Sequence, residues 1–88
     1  MSTPMRAKLC VGSVMPFQTD GVTTQERVIF HGVSKKTPYP ADGHDEDNTF
    51  ARFSPSAMFD IMIANPALIG KFTPGDTFYV DFTPVDPT

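Results

Sequence analysis

The cleanest alternation of apolar and polar side chains in this chain runs from residue 77 to residue 83. Phe78, Val80 and Phe82 fall on one side of an extended strand, and Thr77, Tyr79, Asp81 and Thr83 fall on the other, because successive strand side chains point to opposite faces. An unpaired carboxylate is costly to bury, so Asp81 marks the solvent side and Phe78, Val80 and Phe82 the core side, with Tyr79 free to cover an edge or meet a partner. Just upstream, Pro74-Gly75 reads as a type II turn: proline presets the first corner and glycine takes the positive φ of the second.

The same rhythm marks residues 5–15. Met5, Ala7, Leu9 and Val11 face inward, Arg6 and Lys8 outward, and Gly12-Ser13 interrupts the pattern before Val14-Met15, which predicts one bent strand with a bulge or bend at the glycine. Residues 16–22 carry Pro16 and Asp20-Gly21, hairpin-loop chemistry in a loop longer than the tightest two-residue turn. Over 23–33 the faces are mixed. Glu26 lies with Val28 and Phe30, whereas Arg27, Ile29 and His31 share the other side; this predicts a strand covered on both sides or near a subunit contact, with a bulge at Gly32 returning Val33 to the core. Ser54-Pro55-Ser56 resembles a helix start. The alternation of Ala57, Phe59, Ile61 and Ile63 against Met58, Asp60 and Met62 nevertheless favours a strand over 57–63. Asn65-Pro66-Ala67-Leu68-Ile69-Gly70 has an N-cap, a proline in the first turn and a closing glycine, so one short helical turn is expected at 66–69, with Leu68 and Ile69 plugging an end of the core.

These elements predict a mainly β fold, a small antiparallel sandwich or barrel with one short helical turn and a long loop at about 34–49. A single domain spans 1–88, frayed at 1–4 and 84–88, with Phe59, Ile61, Phe78, Val80 and Phe82 in its core. At 88 residues and 40% hydrophobic content, the chain supports one modest core and leaves sheet edges open, so a homo-oligomer is expected. A net charge of −3 without any basic run argues against a duplex DNA partner. The single Cys10 permits no internal disulfide and reads as a small buried hydrophobe in a reducing, cytosolic compartment. No apolar run approaches the length of a membrane span and no signal region is evident, so no membrane partner is expected.

The long loop is where chemistry is sought first, because structureless stretches of this length in small domains are usually functional or disordered. Its first half is basic and aromatic, with Lys35, Lys36 and Tyr39; its second half is acidic, with Asp42, Asp45, Glu46 and Asp47. The acidic run lacks the glycine and closing glutamate positions of a calcium loop, which favours a solvated acidic turn over a metal site. His31, with no second histidine beside it in sequence, reads as a structural or surface residue and not a ligand. No nucleophile-base pairing or phosphate-cradling glycine pattern is present, so neither catalysis nor a cofactor is expected. A small anionic or nucleotide-like ligand is the expected partner. Lys35, Lys36 and Arg52 would hold phosphate oxygens, Tyr39, Phe50 or Phe53 would stack on a base, and Ser54 and Ser56 would donate hydrogen bonds. The alternative is that these cations balance the neighbouring acids.

The segments Asn48-Thr49-Phe50-Ala51, Phe53-Ser54-Pro55-Ser56-Ala57, Asn65-Pro66-Ala67-Leu68 and Phe72-Thr73-Pro74-Gly75-Asp76, continuing through Tyr79-Val80-Asp81-Phe82-Thr83, resemble a group of short, mostly uncharacterised bacteriophage proteins. The resemblance spans most of the chain and rests on turn and strand motifs. It implies the cytoplasm of an infected bacterial host and two roles found among small phage β proteins. One is a counter-defence protein that sequesters a nucleotide immune signal; the other is a structural or assembly protein of the virion.

Overall fold

The computed structural model describes residues 5–86; the predicted fraying at 1–4 and at the last two residues lies outside them, while 83–86 carry no regular structure. Four strands form one sheet: β1 (Met5–Thr19), β2 (Val22–Gly32), β3 (Met58–Ile63) and β4 (Thr77–Phe82). Their spatial order is β3-β2-β1-β4 and every neighbouring pair is antiparallel. The antiparallel β architecture is the one expected, but it is a single open layer, neither sandwich nor barrel, with β3 and β4 as separate edges.

The β1–β2 hairpin is the spine of the sheet. Asp20 and Gly21 form its turn with φ of 51° and 80°, the type I′ geometry whose twist matches that of the flanking strands. The connection is thus the tight two-residue turn, and β1 continues through Pro16. A proline is tolerated there because β4 pairs only with Met5 through Cys10, leaving that flank of β1 open and asking no ladder bond of it. The predicted bulge is present: the register steps from Val11 opposite Phe30 to Ser13 opposite Ile29. Gly12 is the extra residue, and it resets the alternation so that Val14 falls opposite Val28, on the face shared by Ala7, Leu9 and Val11. At Gly32 the strand ends without a bulge, and Val33 stays half-buried outside the core cluster.

That face carries the core of Ala7, Leu9, Val11, Val28, Phe30 and Ile63. Since β3 and β4 lie on opposite edges, the chain between them must cross the sheet, and it crosses here, packing Ile69 and Phe72 on the core. The Phe72 ring centre lies 5.8 Å from that of Phe30 and 5.4 Å from that of Phe78. Glu26, buried on this apolar face, accepts the Gly70 amide at 3.0 Å and so pins the crossing. The segment expected to be helical is instead two successive hydrogen-bonded turns, Leu68 to Asn65 at 2.9 Å and Lys71 to Leu68 at 3.2 Å. Asn65 caps it as expected, accepting the Ala67 amide at 3.0 Å. Gly70 at φ 83° stops it before a helix can propagate, and Leu68 remains exposed. The type II turn is confirmed. Asp76 donates to the Thr73 carbonyl at 3.0 Å with Gly75 at φ 97°, and the turn docks on β1 through Gly75 to Val11 and Val11 to Asp76.

The expected core strands are less covered than the alternation implies. Phe59, Ile61, Phe78 and Phe82 keep 36 to 48% of their surface, and Val80 is half-buried. Their orientation is the predicted one, since they share the face of Ala7 and Leu9, but one crossing segment cannot roof a whole sheet. Cys10 is also corrected. It is only half-buried and sits on the opposite, polar face, aligned with His31 and Thr77. That face is laced by Arg6 with Asp81 and by Arg27 with Asp60. The guanidinium hydrogen bonds hold both carboxyls below the usual range. Among the described residues no helix is long and apolar enough to cross a membrane.

Phe30→Ala is expected to remove about 3 to 5 kcal/mol of unfolding free energy in urea titrations. Val85→Ala, at a position 89% exposed, should stay within about 0.5 kcal/mol of the parent.

Candidate functional site

Strand β2 ends at Gly32, opposite Leu9, while β1 extends four residues further to Met5. Backbone groups of Lys8 and Arg6 therefore lose their strand partner, and buried peptide groups need replacements. The loop supplies them. Val33 donates to the Lys8 carbonyl at 2.9 Å, and the Lys8 amide donates to Asn48 Oδ1 at 2.7 Å. Asn48 Nδ2 donates to the Val33 carbonyl at 2.8 Å and to Asp45 Oδ2 at 3.1 Å. One residue on, Thr49 exchanges two bonds with the Arg6 backbone, accepting its amide on Oγ1 at 2.8 Å and donating its own amide to the carbonyl at 2.9 Å.

Asp45 anchors Asn48 in turn. Its carboxylate accepts the Asp47 amide, the Asn48 amide, the Asn48 side chain and the Tyr39 hydroxyl, all between 3.0 and 3.2 Å. Burial pushes the Asp45 pKa up, but the four hydrogen bonds outweigh it and leave the carboxyl below its ordinary value. Asp45 and Asn48 are wholly buried, so the acidic run is solvated as expected at Asp42 and Glu46 but not between and beyond them. Its centre is the fastening of the loop.

Held this way, the loop and β4 enclose an open concavity of about 540 Å³ on the polar face, lined in part by Lys8, Ser34, Lys35, Lys36, Asp47 and Tyr79. Lys8 and Tyr79 are directly opposite across β1 and β4, and both reach Asp47, Lys8 by an ion pair at 3.5 Å and Tyr79 by a hydroxyl bond at 3.1 Å. The Arg6 guanidinium lies 4.4 Å from the Tyr79 ring centre, an arrangement that favours the cation over the aromatic face. Lys35 pairs with Glu46 at 3.1 Å and lies 5.5 Å from the Tyr39 ring centre. The Glu46 carboxyl is held below its ordinary range by its own backbone amide first and by Lys35 second. Lys8 and Lys35 are nearly enclosed, with side chains 12% and 8% exposed. Lys36 is exposed and has no ion-pair partner among the described residues. The lining thus sets Lys8, Lys35 and Lys36 against Glu46 and Asp47, one positive charge in excess on a chain of net −3.

Of the seven residues expected to form a ligand site, Lys35 and Lys36 line this concavity. Tyr39 stands behind it, bonded to Asp45 and packed 5.9 Å from the Phe53 ring centre, a support and not an open stacking surface. Arg52 is exposed and turned to Asp42, donating to its carbonyl at 3.1 Å and forming an ion pair with its carboxylate at 3.7 Å. Phe50 lies across the sheet in an apolar groove with Ala7 and Leu9. Ser54 and Ser56 are exposed and line neither place. The sequence reading missed Lys8, Ser34 and Tyr79 as neighbours. Ser34 belongs to the loop itself, whereas Lys8 and Tyr79 come beside it through the antiparallel pairing of β4 with the start of β1. Tyr79 carried the one usable signal, an aromatic on a solvent face.

The outer part of the loop folds back as a small hairpin in which Phe53 donates to the Gly43 carbonyl at 2.8 Å and His44 bridges Arg52. Gly43 adopts φ 76°, and a Cβ there would stand 2.5 Å from the Phe53 ring. Glycine is required on both counts. Among the described residues no three His, Cys, Asp or Glu side chains converge as metal ligands. Comparison with protein-family models, curated proteins and solved structures gives no match.

Asp45→Asn sets a second NH₂ against the Asn48 amide and should cost about 2 to 4 kcal/mol in chemical unfolding. The folded-state pKa of Asp45 lies below that of the unfolded chain. Its stabilisation is therefore complete above the ordinary aspartate value of about 3.9 and fades as pH falls through the folded value. The stability gap between parent and variant should narrow below about pH 4. Gly43→Ala should destabilise by about 1 to 3 kcal/mol and speed amide exchange within 43–53.

Proposed function

We propose that this chain is a non-catalytic binding protein for a small anionic, nucleotide-type ligand, which it takes up in the concavity between the loop and β4. The observation that carries this reading is Lys36, an exposed ammonium without a carboxylate partner at the rim of a lysine-lined hollow. Lys8 and Lys35 sit within the same hollow in pairs that a phosphate oxygen can share, and the half-exposed Tyr79 ring offers a stacking face. Glu46 and Asp47 on the lining oppose long polyanions while leaving room for a compact one, because short-range pairing within a hollow is screened less than the field of the whole chain. With the resemblance to bacteriophage proteins, the role is sequestration of a nucleotide immune signal in the infected cell. A second reading, a virion structural or assembly protein, is favoured by one different observation: the partly uncovered apolar face of the sheet.

Titration calorimetry with mono-, di- and cyclic nucleotides tests the first reading. Lys36→Ala should weaken binding by about 1 to 2 kcal/mol, whereas Arg52→Ala, outside the hollow and turned to Asp42, should change it by less than about 0.5 kcal/mol. Absence of heat from every nucleotide, with the protein recovered in purified virions, would leave the assembly reading in its place.

A further inference from the structure

On the apolar face, beyond the crossing segment, a groove remains open. Ala7 and Leu9 form its floor, and Met5, Phe50, Phe59 and Phe82 stand around it, each of these four at least a third exposed. Met58 borders its end at the start of β3, although its register partner His31 belongs to the polar face. Among the described residues no charged side chain lines it. Such a surface offers nothing to a phosphate, a nucleic acid or a polar peptide, and contiguous apolar surface of this kind is typically covered by another protein face.

We infer that the occupant is a second copy of this chain, seated on the same groove about a two-fold axis. A two-fold contact needs a surface complementary to itself, and a groove apolar on its floor and rim meets its own copy without burying an unpaired charge. The area agrees. The chain exposes 6328 Å² at 9.7 kDa, whereas a compact monomer of that mass exposes about 5,100 Å². The excess of roughly 1,200 Å² exceeds the ~800 Å² that each partner contributes to a standard interface. The sheet is also a single layer, the whole chain only 16 Å through its thinnest dimension. Pairing by this face gives it the second layer that Phe59 and Phe82, patterned as core residues, lack within one chain. The lysine-lined hollow lies across the sheet, on the side of Lys8 and Tyr79. The pairing is thus independent of the ligand reading.

Sedimentation velocity and light scattering of the full chain, from about 1 to about 300 micromolar, test the inference. The expected mass at high concentration is twice 9.7 kDa, with a thermal midpoint that rises with concentration, as mass action requires. Phe82→Glu should raise the dissociation constant at least about 30-fold, through an uncompensated charge in the contact. Phe50→Glu, on the groove but outside the four strands, should do the same with the strand dichroism unchanged, and it decides the matter if Phe82→Glu does not fold. Lys36→Glu, on the other face, should leave association intact. A mass of 9.7 kDa at the highest concentration, a midpoint independent of concentration, or association broken by Lys36→Glu and untouched by Phe50→Glu overturns it.

Discussion

The carboxamide of Asn48 is the interaction on which the shape of the loop depends. It receives the Lys8 amide and donates both of its hydrogens, to Val33 and to Asp45, so one side chain does what the next residues of β2 would have done for β1. The amide suits the place because it presents an acceptor and two donors from one planar group. Asp45 makes the substitution durable by ordering the turn that carries Asn48. With this pair in place, 16 irregular residues between 34 and 49 become a fixed edge to the sheet. Lys35 and Lys36 come to lie on its polar side and Phe50 on its apolar side.

The other constraint is topological. Placing β3 and β4 on opposite edges obliges the intervening chain to cross a face, and the crossing takes the apolar one because Ile69 and Phe72 find Phe30 and its neighbours there. Glu26 contributes a polar tie on that side, its carboxylate matched to a backbone amide where an unpaired charge would be costly. A chain of this size has one such segment to spend on one face. The remainder of the apolar face stays open, and the opposite face is closed only by cross-strand ion pairs and by the loop. The two faces are therefore left open with different chemistry, a lysine-lined hollow on the polar side and an uncharged groove on the apolar side.

Much of the local structure was legible in the residues. The alternation at 78–82, the bulge at Gly12, the Pro74-Gly75 turn and the four strands all follow from steric and periodic rules acting within a few residues, and each is in place. Where local signals competed, the tertiary context decided. Asn65-Pro66 begins a helix by its chemistry and is confined to turns by the crossing. Pro16 reads as a loop residue and sits in a strand because its neighbouring strand has ended. The candidate site was legible only as a loop of mixed charge. Lys35 and Lys36 were found, but Lys8 and Tyr79 lie more than 25 residues away in sequence and join them through strand order, which no alternation reveals.

Sequence alone thus determined which residues pair in turns, which face of each strand is apolar, and that the chain makes antiparallel β structure, because those outcomes depend on backbone sterics and on the sign of transfer to water. Tertiary structure decided how far each apolar residue is covered, that Asp45 is buried while Asp42 and Glu46 stay exposed, and that Arg52 and Phe50 part from the lysines beside which they were expected. Such outcomes depend on contacts between segments distant along the chain. Their energies are set by which groups the fold brings within hydrogen-bonding or van der Waals distance.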